Sequence, residues 1–365
     1  MIKKTISLIL SLVMIVALAT GCGSTATVTT TAKETAAAVT TTAAAATTAA
    51  KETSAETTTA PAKESLTFGY IAYNMADIWN QYSANAFEYA ASKSKIPTKV
   101  VILDAQNDIA KSVSAMESLI QQGVDGISIF PISPEQGAQL VTMANEANIP
   151  ITVENIDIGT VCKPDQYIAS VGCLYGDIGY AAIKWLSENV KDAKVFYCAG
   201  AVGGGVFETY KVGVDKALAE FSGSIKMVGL ANGNWNTEDA LNLTQNFINS
   251  GTEFNCIFAN NDLMAQGCYQ ALEAAGLKDI PVVSTGGSPD AKAFLESKIE
   301  AANMTAPVSI QGVQTFKNLY DFVVDGTVPS PQFQALPIVP VSAEDLTAWI
   351  DWSDYAGAYA YVYGS

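Results

Sequence analysis

Short apolar runs alternate with longer amphipathic stretches along most of this chain, and this alternation limits the fold more than any other feature. The runs have the length of buried strands and cover residues 66–73, 99–103, 126–129, 151–153, 193–197, 225–229, 256–259 and 282–284. The stretches between them have helical periodicity and cover residues 79–94, 109–122, 134–147, 178–189, 207–220, 237–249 and 264–275. Strand followed by helix, repeated, is typical of parallel sheets covered on both faces. The units are too many for one small sheet, so the pattern predicts an α/β fold with two doubly wound lobes.

Local signals mark where several of these helices begin and end. Gly123 follows the second predicted helix, the segment 148–150 with its proline follows the third, and Gly276 follows the last. At the other end, Thr237 and Asp262 have short side chains with oxygens that can accept from free backbone N–H groups. We therefore predict that these two residues are helix N-caps.

Residues 1–21 have the composition of a secretory signal. Lys3 and Lys4 precede an apolar run over 6–19 that is too short to span a bilayer comfortably. The following letters ATGC, at 19–22, resemble the lipobox of bacterial lipoproteins, with alanine in place of the commoner leucine. The resemblance implies that Cys22 is lipidated and holds the protein at the extracytoplasmic face of the bacterial cell membrane.

Residues 22–65 are predicted to be a lipid-anchored, disordered spacer. They consist mainly of threonine and alanine, with an imperfect AKET repeat at 32–35, 50–53 and 62–65. Such a segment has too few large apolar side chains to offset the entropy of ordering. As a flexible coil it would reach roughly 35–40 Å, which lets a folded domain stand away from the membrane.

The charged residues exclude several kinds of function. The chain has 36 acidic residues and 20 basic ones, all of them lysine, and its formal net charge is −16. Without histidine or arginine there is no Ser-His-Asp or Cys-His catalysis, no histidine-bound metal and no bidentate clamp on a phosphate. Nucleic acid and anionic solutes are poor partners for such a surface. Asp77 and Glu154 are the only candidates for catalytic carboxylates in the predicted cleft. With so few catalytic or metal-binding residue types available, we expect no enzyme, no cofactor and no metal.

Five cysteines lie beyond the predicted spacer, and none belongs to a Cys-x-x-Cys motif. Cys198 and Cys256 lie in apolar strand-like runs and are predicted to be buried small side chains. Cys162 and Cys173 flank a predicted surface excursion and could form a disulfide, which export would permit, although the odd number of cysteines argues against a disulfide framework.

Three long segments together carry a resemblance to a known family. They read VVILDAQNDIAKSVSAMESLIQQGVDGISIFPISPEQGAQLVTMANEANIPITVEN from 100, FANNDLMAQGCYQALEAAG from 258 and PVVSTGGSPDAKAFLESKIEAANMTAPVSIQG from 281. In this order they resemble the ribose/galactose-type periplasmic binding proteins, the type I solute receptors of ABC importers. The similarity extends from about residue 66 to 339. It implies two lobes joined by a three-segment hinge, with the ligand held in the cleft between them.

The resemblance also implies boundaries for the two lobes. The N-terminal lobe is expected to comprise 66–168 and 306–330, and the C-terminal lobe 170–303 and 333–339. Residues 340–365 then form an aromatic tail, which either packs on a lobe or contacts a partner. Because open α/β sheets bind ligands beyond the carboxyl ends of their strands, the site is expected in the loops there.

Several residues in those loops match ligand-binding positions of the family or stand in their place. Asn74, Trp79, the stacking Trp235 and Asn261 match the family pattern, whereas Tyr210 stands where many members use arginine. The other departures are Phe130 for a polar residue, Glu154-Asn155 for Asp-Arg, Gly286 for aspartate and Thr305 for glutamine. The site that the resemblance implies contains Asn74, Asp77, Trp79, Phe130, Glu154, Asn155, Tyr210, Trp235, Asn261, Gly286 and Thr305.

These residue types favour a neutral, ring-shaped solute. Trp79 and Trp235 can stack on the apolar face of a sugar, while Glu154, Asn155 and Asn261 can bond its hydroxyls. A neutral sugar or sugar derivative, delivered to an ABC transporter permease, is therefore the leading prediction. A nucleoside or a furanose signal is the alternative ligand, and a sensor subunit that presents its closed form to a chemoreceptor or kinase is the alternative role.

Overall fold

The computed structural model describes residues 63–364. The predicted signal, Cys22 and nearly all of the predicted spacer lie outside the described residues. The strands are β1 (Leu66–Ala72), β2 (Thr98–Asp104), β3 (Gly126–Ile129), β4 (Ile151–Asn155), β5 (Ser170–Gly172), β6 (Ala193–Ala199), β7 (Ile225–Asn232), β8 (Cys256–Ala259), β9 (Val282–Gly286), β10 (Ala302–Thr305), β11 (Phe333–Ala335) and β12 (Val339–Ser342). The helices are α1 (Ile78–Ser92), α2 (Ile109–Gln122), α3 (Pro134–Glu146), α4 (Tyr175–Asn189), α5 (Val206–Glu220), α6 (Thr237–Asn249), α7 (Asp262–Ala274), α8 (Ala291–Glu296), α9 (Val308–Asp325) and α10 (Tyr355–Tyr363).

Within residues 63–364 the strands form two six-stranded sheets. The first has the order β11-β5-β4-β3-β1-β2, and all of its pairings are parallel. The second has the order β12-β10-β9-β8-β6-β7 and is parallel except for β12, which runs antiparallel to β10. The predicted α/β fold with two doubly wound lobes is confirmed.

Each sheet is buried on both faces. Successive strand residues point to opposite faces of the sheet, and on both faces they meet a core cluster. In β1, Phe68 and Tyr70 belong to a core cluster on the side of α1 and α9, whereas Ile71 belongs to a cluster on the side of α2 and α3. In β6, Tyr197 belongs to the first of these clusters and Phe196 to a third one beneath α6 and α7. Continuous apolar strands of this kind require helices on both faces, and the alternating elements supply them.

The chain crosses between the sheets three times. It leaves β5 through 173–174 to reach α4, returns through 306–307 from β10 to α9, and leaves again through 336–338 between β11 and β12. The hydrogen bonds place Ser170–Gly172 and Phe333–Ala335 in the first sheet, whereas the expected boundaries had put both in the second lobe. Strands of three residues carry too little periodicity to reveal which sheet they join.

Two N-caps differ from the prediction by one residue. Asn236 and Asn261, rather than Thr237 and Asp262, are the N-caps of α6 and α7. Their side-chain oxygens accept from backbone N–H groups three residues ahead, each at 2.8 Å. The predicted stop at Gly123 is confirmed, since this residue ends α2 in the left-handed conformation, with φ at 64°.

All five cysteines in the described part of the chain are free and buried. This agrees with the prediction for Cys198 and Cys256, and it leaves Cys162 and Cys173 unbridged. None of the helices within 63–364 is long and apolar enough to cross a membrane. The aromatic tail packs on a lobe, because α10 lies against α9 and α1.

Candidate functional site

The order of the strands identifies one place on each sheet where a crevice opens. In the first sheet β1 lies between β2 and β3, so the chain turns in opposite directions on either side of it, and β6 has the same position between β7 and β8. Ligands of open α/β sheets bind at such switch points, beyond the carboxyl ends of the strands. The loops concerned are 73–77 and 130–133 in the first lobe and 200–205 and 260–261 in the second.

Loops from the two lobes lie against each other at these switch points. A Cβ atom added to Gly204 would lie 3.5 Å from the carbonyl oxygen of Ile132, and one added to Gly205 would lie 3.5 Å from the ring of Pro134. Ile132 and Pro134 follow β3, whereas both glycines follow β6. The two carboxyl edges therefore face each other at close range.

The loop after β1 is held in shape by Asn80, a residue that sequence reasoning missed. Its Oδ1 accepts from the backbone N–H groups of Tyr73, at 3.0 Å, and Asn74, at 3.4 Å. The Oδ1 of Asn74 accepts from the N–H of Ala76 at 3.0 Å, which fixes the next turn. The side-chain oxygen of Asn74 is thus used within the loop, whereas its amide nitrogen can donate to a ligand.

Asp77 serves this loop as the N-cap of α1. Its Oδ1 accepts from the N–H of Asn80 at 3.3 Å, and its Oδ2 accepts from the hydroxyl of Tyr73 at 3.1 Å. Burial raises the pKa of the Asp77 carboxyl and outweighs these hydrogen bonds, which lower it. Both carboxylate oxygens are occupied, so the structure gives Asp77 a role in shaping the loop.

Aromatic rings line the first-lobe side. Trp79 lies in the first turn of α1, and its indole Nε1 is buried with no hydrogen-bond partner among residues 63–364. Its ring meets that of Trp352, from the tail, edge to face at 5.1 Å. Phe130 follows β3 and is buried, with its ring 5.2 Å from that of Tyr73.

A chain of buried hydrogen bonds and one pair of tilted aromatic rings joins the two lobes near the crossings. The hydroxyl of Tyr175, in the first turn of α4, donates to Oδ1 of Asn155 at the end of β4. The Tyr175 ring lies 5.1 Å from that of Tyr210. Because the hydroxyl of Thr285 donates to the carbonyl oxygen of Asn260 at 2.8 Å, the hydroxyl of Tyr210 must donate to Thr285, also at 2.8 Å. Asn155 and Tyr210, predicted separately, are brought together through Tyr175, which was not predicted.

Glu154 does not join the other predicted residues. It is fully buried inside the first lobe and accepts from the hydroxyls of Tyr70, at 2.7 Å, and Ser83, at 2.6 Å, and from Nε2 of Gln311 at 3.2 Å. Desolvation raises the pKa of its carboxyl. Asn155, the next residue, has a positive φ of 73° and is the one that contacts the other lobe, through Tyr175.

In the second lobe, Trp235 lies over Gly200. A Cβ atom at position 200 would fall 2.0 Å from the indole, so only glycine allows this contact. Trp235 has a positive φ of 66°, and its carbonyl oxygen accepts from Nδ2 of Asn261 at 3.2 Å. Asn261 thereby holds the Trp235 loop with its nitrogen while its oxygen caps α7.

Asn260, next in the chain before Asn261, was not predicted and is the more deeply buried of the pair. Its Oδ1 accepts from the hydroxyl of Tyr197 at 2.8 Å and from the N–H of Gly200 at 2.9 Å. Its Nδ2 is buried and has no partner within the described residues. A buried amide N–H at a switch point is suited to donate to a ligand oxygen.

The last two predicted positions differ in their surroundings. Gly286 ends β9 with a φ of 112°, and its carbonyl oxygen accepts from Nε1 of Trp352 at 3.2 Å. Thr305 is buried, and its hydroxyl donates to the carbonyl oxygen of Val339 at 2.8 Å, which ties β10 to β12. The structure therefore brings Gly286 to the aromatic cluster but occupies the hydroxyl of Thr305 within the sheet.

Two buried carboxyl groups lie behind Gly286. Asp262 accepts from the N–H of Ser288 at 2.7 Å and from Nδ2 of Asn303 at 2.5 Å, and the same nitrogen lies 2.9 Å from Oε2 of Glu300. Desolvation, followed by the nearby charge of Asp262, raises the pKa of Glu300 well above its usual range. Burial beside a second carboxyl group therefore disfavours the ionised form of Glu300.

Comparison with known proteins places this geometry in a family. The profile of the periplasmic binding protein domain matches residues 68–326. The xylitol-binding protein of Mycolicibacterium smegmatis is 26% identical over 64% of this chain and 65% of its own length. The ribose import binding protein RbsB of Escherichia coli is 30% identical over 60% of this chain and 74% of its own length. The galactofuranose-binding protein YtfQ of the same organism is 28% identical over 72% of this chain and 84% of its own length.

Solved structures have the same fold. An ABC transporter solute binding protein from Bacillus halodurans, with bound myo-inositol, superposes with a TM-score of 0.71 at 23% identity and covers 80% of this chain and 98% of that one. A galactofuranose binding protein superposes with a TM-score of 0.69 at 25% identity, and the match covers 76% of this chain and 95% of that one. The matched profile spans most of both lobes and both switch points, and on this ground the chain belongs to the periplasmic binding proteins, as a type I member of the ribose/galactose-binding kind.

Proposed function

We propose that this protein is the extracytoplasmic solute-binding component of an ABC importer and captures a neutral sugar or sugar-like solute between its lobes. One observation carries most of the proposal: the switch-point loops of both sheets lie against each other, and aromatic rings and amide groups from both lobes converge there. The relatives named for xylitol, ribose and galactofuranose support this class of ligand.

The chemistry of the converging groups fits a sugar. A sugar ring has an apolar face of C–H groups and a rim of hydroxyls, so it needs aromatic surfaces and hydrogen-bond partners. Trp79 and Trp235 provide the rings. The indole N–H of Trp79 and the amide nitrogens of Asn74 and Asn260 provide donors for the hydroxyls. An anionic solute would find no arginine or histidine here, because the chain contains neither.

Closure of the two lobes supplies the mechanism. A solute that contacts both carboxyl edges gains its full interaction only in the closed form, so its binding shifts the population toward that form. The three crossings are short enough to act as hinges while each lobe moves as a rigid body. The closed form is then the one that the permease receives.

The membrane attachment is a further part of the proposal. Lipid on Cys22 and the spacer up to residue 65 would keep the binding domain at the outer face of the membrane, close to the permease. The support for this part is the sequence pattern of residues 1–65 alone.

A thermal-shift screen of neutral sugars and polyols, nucleosides and sugar phosphates tests the ligand class. We expect neutral sugars or polyols to raise the melting temperature, because a ligand at 1,000 times its Kd adds about 4 kcal/mol to the free energy of unfolding. Furanose forms belong in the screen, since one relative is a galactofuranose-binding protein. A shift with phosphorylated compounds alone would contradict the proposal, and a shift with nucleosides alone would favour the alternative ligand.

A further inference from the structure

Trp352 is the residue of the aromatic tail that reaches the candidate site. It lies ten residues beyond the end of β12 and is only 3% exposed. Its ring meets those of Trp79 at 5.1 Å and Tyr82 at 5.8 Å, both on α1 of the first lobe. Its Nε1 donates to the carbonyl oxygen of Gly286, in the second lobe, at 3.2 Å. One side chain therefore touches both walls of the cleft.

The indole occupies the space beside a residue without a side chain. A Cβ atom added to Gly286 would lie 3.8 Å from Cζ2 of Trp352, which is ordinary van der Waals contact. Gly286 ends β9, at the carboxyl edge of the second sheet, and a Cβ atom there would also lie 3.5 Å from Oδ2 of Asp262. Trp352 thus provides the bulk that the second sheet lacks at this position.

The rest of the tail fixes Trp352 to the first lobe. Tyr355 lies 6.3 Å from Tyr82 and 6.1 Å from Tyr89, ring to ring, and its hydroxyl accepts from Nδ2 of Asn85 at 3.4 Å. Tyr359 meets Tyr89 edge to face at 6.2 Å. These partners all belong to α1, the helix that also carries Trp79. Trp352 and Trp79 are consequently held as one aromatic corner.

We propose that Trp352 is a ligand-contacting residue that closes the Gly286 end of the cleft and limits the size of the solute that fits. This inference rests on the proposed function. A single-ring solute would pack into the corner formed by Trp79 and Trp352, whereas a second sugar ring would collide with the indole. The tail, which follows the matched family domain, therefore determines specificity.

The test compares Trp352→Ala, Trp352→Phe and Tyr361→Ala in the full-length protein by titration calorimetry. The probes are the neutral monosaccharide or polyol that most stabilises the wild type and a disaccharide that contains it. We expect Trp352→Ala to bind the monosaccharide at least tenfold more weakly and to bind the disaccharide better than the wild type does. Trp352→Phe keeps a ring in the corner, so it should retain the wild-type preference. Tyr361 lies on the same tail but is 61% exposed, and its replacement should change neither affinity.

The outcomes separate the two proposals. A wild type that binds neutral sugars, together with a Trp352→Ala variant of unchanged affinities, would overturn the inference and leave the proposed function intact. A wild type that binds no neutral solute would overturn both. Should Trp352→Ala not fold, Trp352→Leu replaces it, because leucine fills part of the volume without a ring. An unaltered ratio of the two affinities in that variant would equally overturn the inference.

Discussion

At the scale of single residues, Gly200 affects the candidate site through the atom that it lacks. The indole of Trp235 lies where a Cβ atom of residue 200 would be, and the N–H of Gly200 is bound by Asn260. Glycine at position 200 therefore allows both the indole of Trp235 and the amide of Asn260 to take the positions that they have.

Gly200→Ala should weaken binding of the stabilising sugar by tenfold or more, because the added methyl group displaces Trp235 and its stacking contribution of about 1 kcal/mol is lost together with some buried area. Titration calorimetry measures the affinity, and circular dichroism checks the fold. Gly223→Ala is the matched control, since a Cβ atom there meets nothing within 4 Å. Equal affinities in the two variants would show that Trp235 does not contact the ligand.

Sequence reasoning found part of the candidate site and missed part of it. It identified Trp79, Asn155, Tyr210 and Trp235, which the structure places at or near the facing edges of the two lobes. Glu154 was predicted in the cleft but lies inside the first lobe. The sequence shows that adjacent strand residues differ in direction, but which of the two turns inward depends on the register of the strand. Asn260 was missed although it stands beside Asn261, since polar neighbours at a strand end give no signal of which one turns inward.

At the scale of elements, the contact between α7 and the segment before β10 carries an electrostatic cost. Asp262 in the first turn of α7 and Glu300 before β10 are both buried, and both pKa values are raised by desolvation. In an acid with a raised pKa, the folded state binds the proton more tightly than the unfolded state. The contribution of such a group to stability is then greatest at low pH and declines as the pH rises above about 4.3, the ordinary pKa of glutamate.

The wild type should therefore lose more free energy of unfolding between pH 5 and pH 8 than Glu300→Gln does. The reason is that glutamine is neutral at both pH values and can still donate a hydrogen bond. Urea denaturation at the two pH values measures this difference. Glu273→Gln, an exposed carboxylate on α7, is the control and should leave the pH dependence as it is in the wild type. The prediction is contradicted if the wild type and Glu300→Gln lose the same stability between pH 5 and pH 8.

The elements themselves were largely predictable from the alternating pattern, and the exceptions have physical reasons. β5 and β11 contain three residues each, too few for a hydrophobic period, and only their hydrogen-bonded neighbours assign them to the first sheet. The N-caps of α6 and α7 each lie one residue before the predicted ones, because an asparagine followed by another capping residue leaves two equivalent choices. Long, strongly amphipathic helices such as α2 left no such ambiguity.

At the scale of the whole molecule, the described structure has its two lobes in contact at the switch-point loops and through Trp352. If the solute adds interactions to both edges, as proposed, its binding should shift the population toward closed molecules. The crossings at 173–174, 306–307 and 336–338 join strands at one edge of each sheet, β5 and β11 in the first and β10 and β12 in the second. Under the proposed mechanism, the opposite side is the one that opens.

Small-angle scattering should accordingly show a smaller radius of gyration when the stabilising sugar is present at saturation than when it is absent. A sugar phosphate that gives no thermal shift is the control solute and should leave the profile unchanged. Identical profiles with and without the stabilising sugar would contradict closure as the means by which the solute is held.

The five free cysteines have a consequence for the reactivity of the folded domain. Burial raises the pKa of Cys173 and of Cys256 to about 12, so neither thiol forms an appreciable amount of thiolate at neutral pH. The thiolate is the nucleophile that attacks disulfides and reacts with oxidants, and burial also keeps such reagents away from these side chains. We therefore expect Cys173 and Cys256 of the folded domain to react slowly with oxidants and with thiol reagents at neutral pH.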